Sequence, residues 1–395
     1  MRAGAWDVFC RVVDNYGDIG IGWRLARQLA CEHRIAVRLW VDDLAAFARL
    51  CPAVDPLEAH QSVESVEIFH WRHGADAAVW QAIVPADAVI ELFGCGLPNP
   101  YIDAMARNRA NGGAVSIWID FEYLSAEPWI ETCHGVASPH PRLSLTKYFF
   151  YPGFTAHSGG LIVERDLDGR RVEFQRDANN QARFWQMLGI RACERDERRV
   201  SLFGYANPAL VALFAVMAAD TRTRWTVAVP EGVMQDESMK LFGTSAATKS
   251  VQRRGALTVW PVAFQSQDAY DELLWACDVN FVRGEDSFVR AQWAARPFVW
   301  HIYAQDGGTH RGKLDAFLDR YQAGLNAQAA LAQRRFWHAW NGLGGEAGAA
   351  WEALRAHEKE LRAHAEAWPA RARGNADLAH NLVRFVAGRR AELLK

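Results

Sequence analysis

WDVFCRVVDNYGDIGIGWRLARQLA, residues 6–30, is the stretch that decides the fold class. Its first third, Trp6 to Val13, is rich in β-branched and aromatic residues and reads as a strand. The polar, glycine-rich turn from Asp14 to Gly20 ends it, and Trp23 to Ala30 has helical composition and spacing. A strand, a short loop and a helix in that order open a βαβ unit, because the helix carries the chain back to start a parallel neighbour. Arg34 to Val41 reads as that neighbour and Leu44 to Leu50 as the next helix. Ser65–Phe69, Ala88–Phe93 and Ala114–Ile119 read as further strands, the last two running into loops that carry glycine or carboxylates. Ligands of open parallel sheets gather at those carboxyl ends.

A charged stretch, 164–199, follows, with a hairpin-like turn expected at Asp168-Gly169 and a helix from Ala182 to Leu188; the domain crossing is expected here. Strand candidates then resume at Arg199–Phe203, Trp225–Val229, Leu257–Trp260, Val279–Val282 and Phe298–Ile302, so a second nucleotide-type α/β domain is the economical reading. From about Leu325 to Lys395 the chain is rich in Ala, Arg, Glu, Leu and Trp and reads as helical, able to cap the second domain and return to the first.

Bulk properties agree with two domains and exclude several classes. The chain has 395 residues, 50% hydrophobic and 23% charged, with a formal net charge of −2. No surplus of Lys and Arg is present to neutralise a phosphate backbone, so nucleic acid is not the expected partner. No apolar run is long enough to cross a bilayer and the first residues lack the pattern of an export signal, so a soluble, cytoplasmic protein is expected. The seven cysteines are scattered singly, without zinc-type pairs, and read as small buried apolar residues in a reducing compartment. Cys133 beside His134 invites a metal reading, but adjacent side chains diverge in helix and strand alike. Most of the 17 tryptophans, Trp40, Trp118, Trp300, Trp337 and Trp340 among them, are expected in the core.

Two loops carry the chemistry. The first, Asp14 to Gly22, has glycines but not the G-x-G-x-x-G order, and its two carboxylates would repel a diphosphate. Carboxylates there suit proton handling or a cationic acceptor; alternatively Asp14 and Asp18 are loop and N-cap residues. The second, Phe281 to Trp293, is a strand ending in a glycine turn before a helix that Asp286 or Ser287 can cap. Its helix N-terminus can hold a diphosphate, Glu285 can accept from ribose hydroxyls and Arg283 can offset the charge of a leaving group, or the segment is simply a capped helix. Phe264 and Gln267, in the loop after the strand ending near Trp260, suit stacking a base and bonding its edge.

Taken together, residues 6–20 and WRLAR at 23–27, EYLSAE at 122–127, SPHP at 138–141, YPGFT at 151–155 and RGEDSFVRAQW at 283–293 resemble the elongation factor P arginine rhamnosyltransferases (EarP). The resemblance implies an α/β, GT-B type fold of two facing Rossmann-like domains with a cleft between them. It implies an inverting transfer of L-rhamnose from TDP-β-L-rhamnose, a co-substrate rather than a cofactor, to an arginine of elongation factor P, without metal. Residues 1–180 would form the acceptor domain, 181–365 the donor domain, and 366–395 a C-terminal helix packing back on the first. By motif, Asp18 resembles the general base, Asp14 a second essential carboxylate and Glu285 the donor anchor. Asn15, Tyr205, Phe264, Gln267, Arg283, Asp286 and Ser287 resemble further donor contacts. The rival expectations are another nucleotide-sugar glycosyltransferase of the same fold and a non-catalytic nucleotide-sugar binder.

Overall fold

A computed structural model of the chain describes residues 4–13, 16–71, 80, 82–191, 193–194, 196–245, 250–304, 308–374 and 377–393. Asp14 and Asn15 lie outside the described residues. The chain divides into two units: residues 1–165 with 372–395, and residues 166–371.

In the first unit the strands are β1 (Trp6–Cys10), β2 (Val37–Val41), β3 (His60–Val63), β4 (Val66–His70), β5 (Ala88–Leu92), β6 (Ile117–Phe121), β7 (Ala137–Pro139) and β8 (Thr146–Phe150). They form one sheet in the order β3-β4-β2-β1-β5-β6-β8-β7. β3 and β7 are antiparallel edges; the other pairings are parallel. Counting the parallel strands alone, the order is 3-2-1-4-5-6, that of a doubly wound sheet whose switch point lies between β1 and β5. β1 and β5 are buried at every position, as central parallel strands must be.

The helix Gly17–His33 follows β1. Gly17, Gly20 and Gly22 belong to it rather than to a phosphate-type loop, and a Cβ on Gly22 would stand 2.9 Å from the Leu92 side chain of β5, so that glycine sets a close helix–sheet approach. Arg34, expected to begin β2, is instead a left-handed cap with φ of 56°.

The second unit contains β9 (Glu197–Leu202), β10 (Arg224–Pro230), β11 (Gln252–Arg254), β12 (Leu257–Val262), β13 (Val279–Arg283) and β14 (Phe298–His301). Their order is β11-β12-β10-β9-β13-β14, all parallel except the β11 edge, with the switch point between β9 and β13. The hairpin expected at Asp168-Gly169 is the helix Leu167–Arg176. It lies in the second unit, which begins at Asp166, within the stretch 164–199 where the crossing is expected: Phe174 packs edge-on to Phe184 and Trp275 while Gln175 donates to the carbonyls of Trp275 and Ala294.

Trp40, Trp118, Trp300, Trp337 and Trp340 are all buried, with exposures of 7% or less. The cysteines divide differently from the expectation: Cys10, Cys51, Cys95 and Cys277 are buried, but Cys31 and Cys193 are exposed.

The helix Leu378–Leu393 completes the first unit. Phe385 meets Phe150 and Tyr148 edge-on, the Leu378 amide donates to Leu161 O, and Arg390 pairs with Asp87 at 2.8 Å.

Candidate functional site

At the carboxyl end of β1, Asp18 stands in the first turn of its helix and is 3% exposed. It is neither a loop residue nor the N-cap, which is Tyr16. Asp18 Oδ2 accepts the Val13 amide at 2.9 Å, and Tyr123, following β6, donates its hydroxyl toward Oδ1 at 3.5 Å. The Tyr123 ring is stacked on Phe93 at 4.4 Å, so elements after β1, β5 and β6 meet around one carboxylate. Burial and the charge of Asp18 push the neighbouring Cys10 thiol well above its ordinary pKa, which keeps it protonated and inert.

A second acidic group on the same sheet escaped the sequence reading. Glu91 of β5 and Asp120 of β6 are register partners, each 4% exposed. Lys147 lies 2.6 Å from Asp120 and 3.7 Å from Glu91, and Glu91 also accepts from Gly96 N and Trp118 Nε1. Burial raises the Glu91 and Glu122 carboxyls, and the Asp120 charge adds to both. Against the cost of burial, the hydrogen bond that Lys147 donates to Asp120 and the charge of Glu91 raise Lys147. The signal was legible as a lone carboxylate in each of two otherwise apolar strands, AVIEL and IWIDF.

In the second unit the expected donor residues lie at or after the carboxyl ends of β9, β12 and β13, and β9 and β13 flank the switch point. β13 ends at Arg283, and Gly284, with φ of 62°, turns the chain into the helix Asp286–Trp293. Ser287 Oγ accepts the Arg283 amide at 3.1 Å and donates to the Arg283 carbonyl, which locks this turn instead of capping the helix. The N-cap is Glu285, and its side chain makes no capping bond. The first-turn amides of such a helix have no intrahelical acceptor and form an anion cradle. Trp300 Nε1 donates to Gly284 O at 2.8 Å and holds the turn from β14.

Gln267 begins the helix Gln267–Ala276 after β12 and donates to Asp286 Oδ2 at 3.3 Å, joining two of the expected donor contacts. Phe264 precedes it, half-buried in the same connection. After β9, the Arg283 guanidinium stands over the rings of Phe203 and Tyr205, at 4.6 and 4.8 Å. Tyr205 also meets His301 edge-on, a group sequence reasoning read only as strand. Tyr205, Gln267, Arg283, Asp286 and Ser287 are thus brought together in two linked sets, and Glu285 sits between Arg283 and Asp286 in the turn.

Among the described residues no three His, Cys, Asp or Glu side chains converge as metal ligands would, and no helix is long and apolar enough to cross a membrane. Cys133 and His134 point to different partners: the thiol lies 4.0 Å from Thr132 Oγ1, whereas His134 Nδ1 accepts the Tyr151 amide.

Residues 6–387 match the family model described as elongation factor P (EF-P) rhamnosyltransferase EarP. A protein-arginine rhamnosyltransferase of Pseudomonas aeruginosa is 48% identical over 384 residues, covering 97% of this chain and 99% of that protein. One of Neisseria meningitidis is 33% identical over 395 residues, covering 96% of each. A solved structure described as the structural basis for EarP-mediated arginine glycosylation of translation elongation factor EF-P superposes with a TM-score of 0.68 at 35% identity, over 98% of this chain and 99% of the other. A glycosyltransferase of Rickettsia africae, 8% identical, shares the fold alone, with a TM-score of 0.56 over 100% of both chains. The architecture is α/β of GT-B type, with two Rossmann-like domains.

Proposed function

Since the chain belongs to the family of EF-P rhamnosyltransferases (EarP) and is a protein-arginine rhamnosyltransferase, we propose that it transfers L-rhamnose from TDP-β-L-rhamnose to an arginine of elongation factor P with inversion at the anomeric carbon. A translation factor as acceptor makes the cytoplasm the place of the reaction. The observation that carries this reading is the buried Asp18 carboxylate at the switch point of the first unit, oriented by the Val13 amide and Tyr123.

An arginine guanidinium has a pKa above about 12 and is a poor nucleophile while charged. It must meet carboxylates that hold it and take a proton as the new bond forms. Asp18 takes that role, with Asp14 as second carboxylate. Glu91, Asp120 and Glu122, set against the single ammonium of Lys147, add negative charge to the same unit and favour a cationic acceptor. One guanidinium nitrogen attacks C1 from the face opposite the diphosphate. The C1–O bond breaks as the C–N bond forms, the electron pair leaves with TDP, and the proton passes to Asp18.

In the second unit the amides after Glu285 and the Arg283 guanidinium steady the departing diphosphate, as preorganised charge does for a developing anion. Glu285 anchors the donor through its hydroxyls, Phe264 and Gln267 hold the base, and Tyr205, Asp286, Ser287 and Asn15 complete the donor contacts. TDP-rhamnose is a co-substrate, and no resident cofactor or metal enters this scheme.

Intact-mass measurement of EF-P after incubation with the enzyme and TDP-rhamnose in EDTA tests it. The expected result is a gain of one deoxyhexose on an arginine, absent with Asp18→Ala. No gain while TDP still binds by calorimetry would overturn the assigned acceptor.

A further inference from the structure

His301 ends β14 and is 9% exposed. Its Nδ1 accepts the Tyr205 amide hydrogen at 3.2 Å, so the proton of the neutral ring resides on Nε2. Tyr205 lies edge-on to the imidazole at 5.3 Å between ring centroids, and Trp340 at 5.9 Å. The chain before Tyr205 passes so close that a Cβ on Gly204 would stand 3.1 Å from His301 Nδ1 and 2.7 Å from Met234 Cε. The loop after β9 is therefore laid directly on the imidazole, with a glycine permitting the approach and an amide fixing its height. Arg283 is the register partner of His301 on β13 and spreads its guanidinium over Phe203 and Tyr205. The imidazole holds the aromatic loop, and the aromatic loop holds the guanidinium.

We propose that His301 is a positioning residue for the donor nucleotide: as a neutral acceptor of the Tyr205 amide it sets the place of the Tyr205 ring and, through that ring, of the Arg283 guanidinium that meets the diphosphate. The proposal rests on the reading that the second unit holds TDP-rhamnose. Burial, and then the charge of Arg283, push the His301 pKa down to about 4, which keeps Nδ1 an acceptor at neutral pH. An imidazolium here would lose the Tyr205 bond and set a second cation beside Arg283.

The full-length variants His301→Leu, His301→Asn and His301→Gln test it. Leu fills much of the ring's space without an acceptor. The Asn amide oxygen reaches the place of Nδ1, whereas the longer Gln carries its amide toward the place of Nε2. Calorimetry with TDP should show His301→Leu weakened about tenfold, the size expected when a buried amide loses its partner, and the KM for TDP-rhamnose should rise by a similar factor while that for EF-P stays put. His301→Asn should restore TDP binding to within about threefold of wild type, because it returns one ordinary hydrogen bond. Wild-type TDP affinity in His301→Leu, or an Asn variant as weak as Leu, would overturn the proposal. Should the Leu variant fail to fold by circular dichroism, the pair Asn and Gln decides: Gln binding TDP as well as Asn overturns it. Wild-type protein that does not bind TDP refutes the donor reading itself, a result no His301 variant can produce.

Discussion

At the scale of single residues, the Asp18 carboxylate accepts the Val13 amide and is the proposed base, and an isosteric change separates the two roles. Asp18→Asn retains an oxygen for the Val13 amide, so the melting temperature should shift by only a few degrees. Loss of the base should lower kcat by about 10²–10⁴-fold, with the KM for TDP-rhamnose little changed in steady-state kinetics. His301 adds a pH dependence whose sign follows from its lowered pKa. Between pH 6.5 and about 4 the unfolded chain takes up a proton that the folded chain refuses. The stability contributed by neutral His301 is therefore complete above pH 6.5 and is lost as the pH falls through that window, by roughly 3 kcal/mol in all. Urea titrations of the wild type should lose more stability from pH 7 to 4.5 than those of His301→Asn. The sequence made the carboxylates of the first loop legible because charge in a glycine-rich turn is conspicuous. It showed Glu91 and Asp120 only as lone carboxylates in apolar strands and His301 only as a strand residue, because the pairings Glu91–Asp120 and His301–Arg283 come from strand register.

The elements show the same division. β1, β5 and β13 were readable since central parallel strands are mainly apolar, whereas β3, β7 and β11 are short antiparallel edges with mostly exposed or half-exposed residues and no such signature. The helix Leu167–Arg176 was misread because Asp168-Gly169 has turn chemistry, yet tertiary contacts of Phe174 and Gln175 override it. Gly169 there is an ordinary helical residue, and a Cβ on it would meet nothing within 4 Å. Gly169→Ala should accordingly stabilise the second unit by about 0.5–1 kcal/mol in denaturant titration. The helix Asp286–Trp293 is fixed by a different device. Arg290, 1% exposed, makes a two-pronged bond with the equally buried Asp271 of the neighbouring helix, at 2.9 and 2.6 Å. Within the RGEDSFVRAQW motif this arginine thus has a structural partner. Asp271→Ala takes the carboxylate away from a buried cation and should cost about 3–5 kcal/mol in stability. Asp271→Ala with Arg290→Leu should recover part of that loss, which a thermal melt of both variants would show.

For the whole molecule, the decisive fact is that the first unit is discontinuous: the chain leaves it after Arg165, builds the second unit and returns at Ala372. Its closing helix buries Leu378, Leu382 and Val386 at 5% exposure or less, and Gln28 donates to Asp377 just before it. At roughly 1.5–3 kcal/mol for each fully buried aliphatic side chain, these three alone match a large share of a domain's usual net stability of about 5–15 kcal/mol. The first sheet therefore cannot reach its full stability until residues 372–393 have been made, whereas residues 166–371 are continuous and can fold as a unit beforehand. A chain ending at Arg371 separates the two. Its second unit should still bind TDP within a few-fold of the intact protein by calorimetry, while its first unit should be open to limited proteolysis and rhamnosyl transfer should vanish. Protection of residues 1–165 from protease in the shortened chain would show that the C-terminal helix is an accessory to the first unit and not part of its core. Loss of TDP binding would show instead that the second unit depends on the segment that the chain lends to the first.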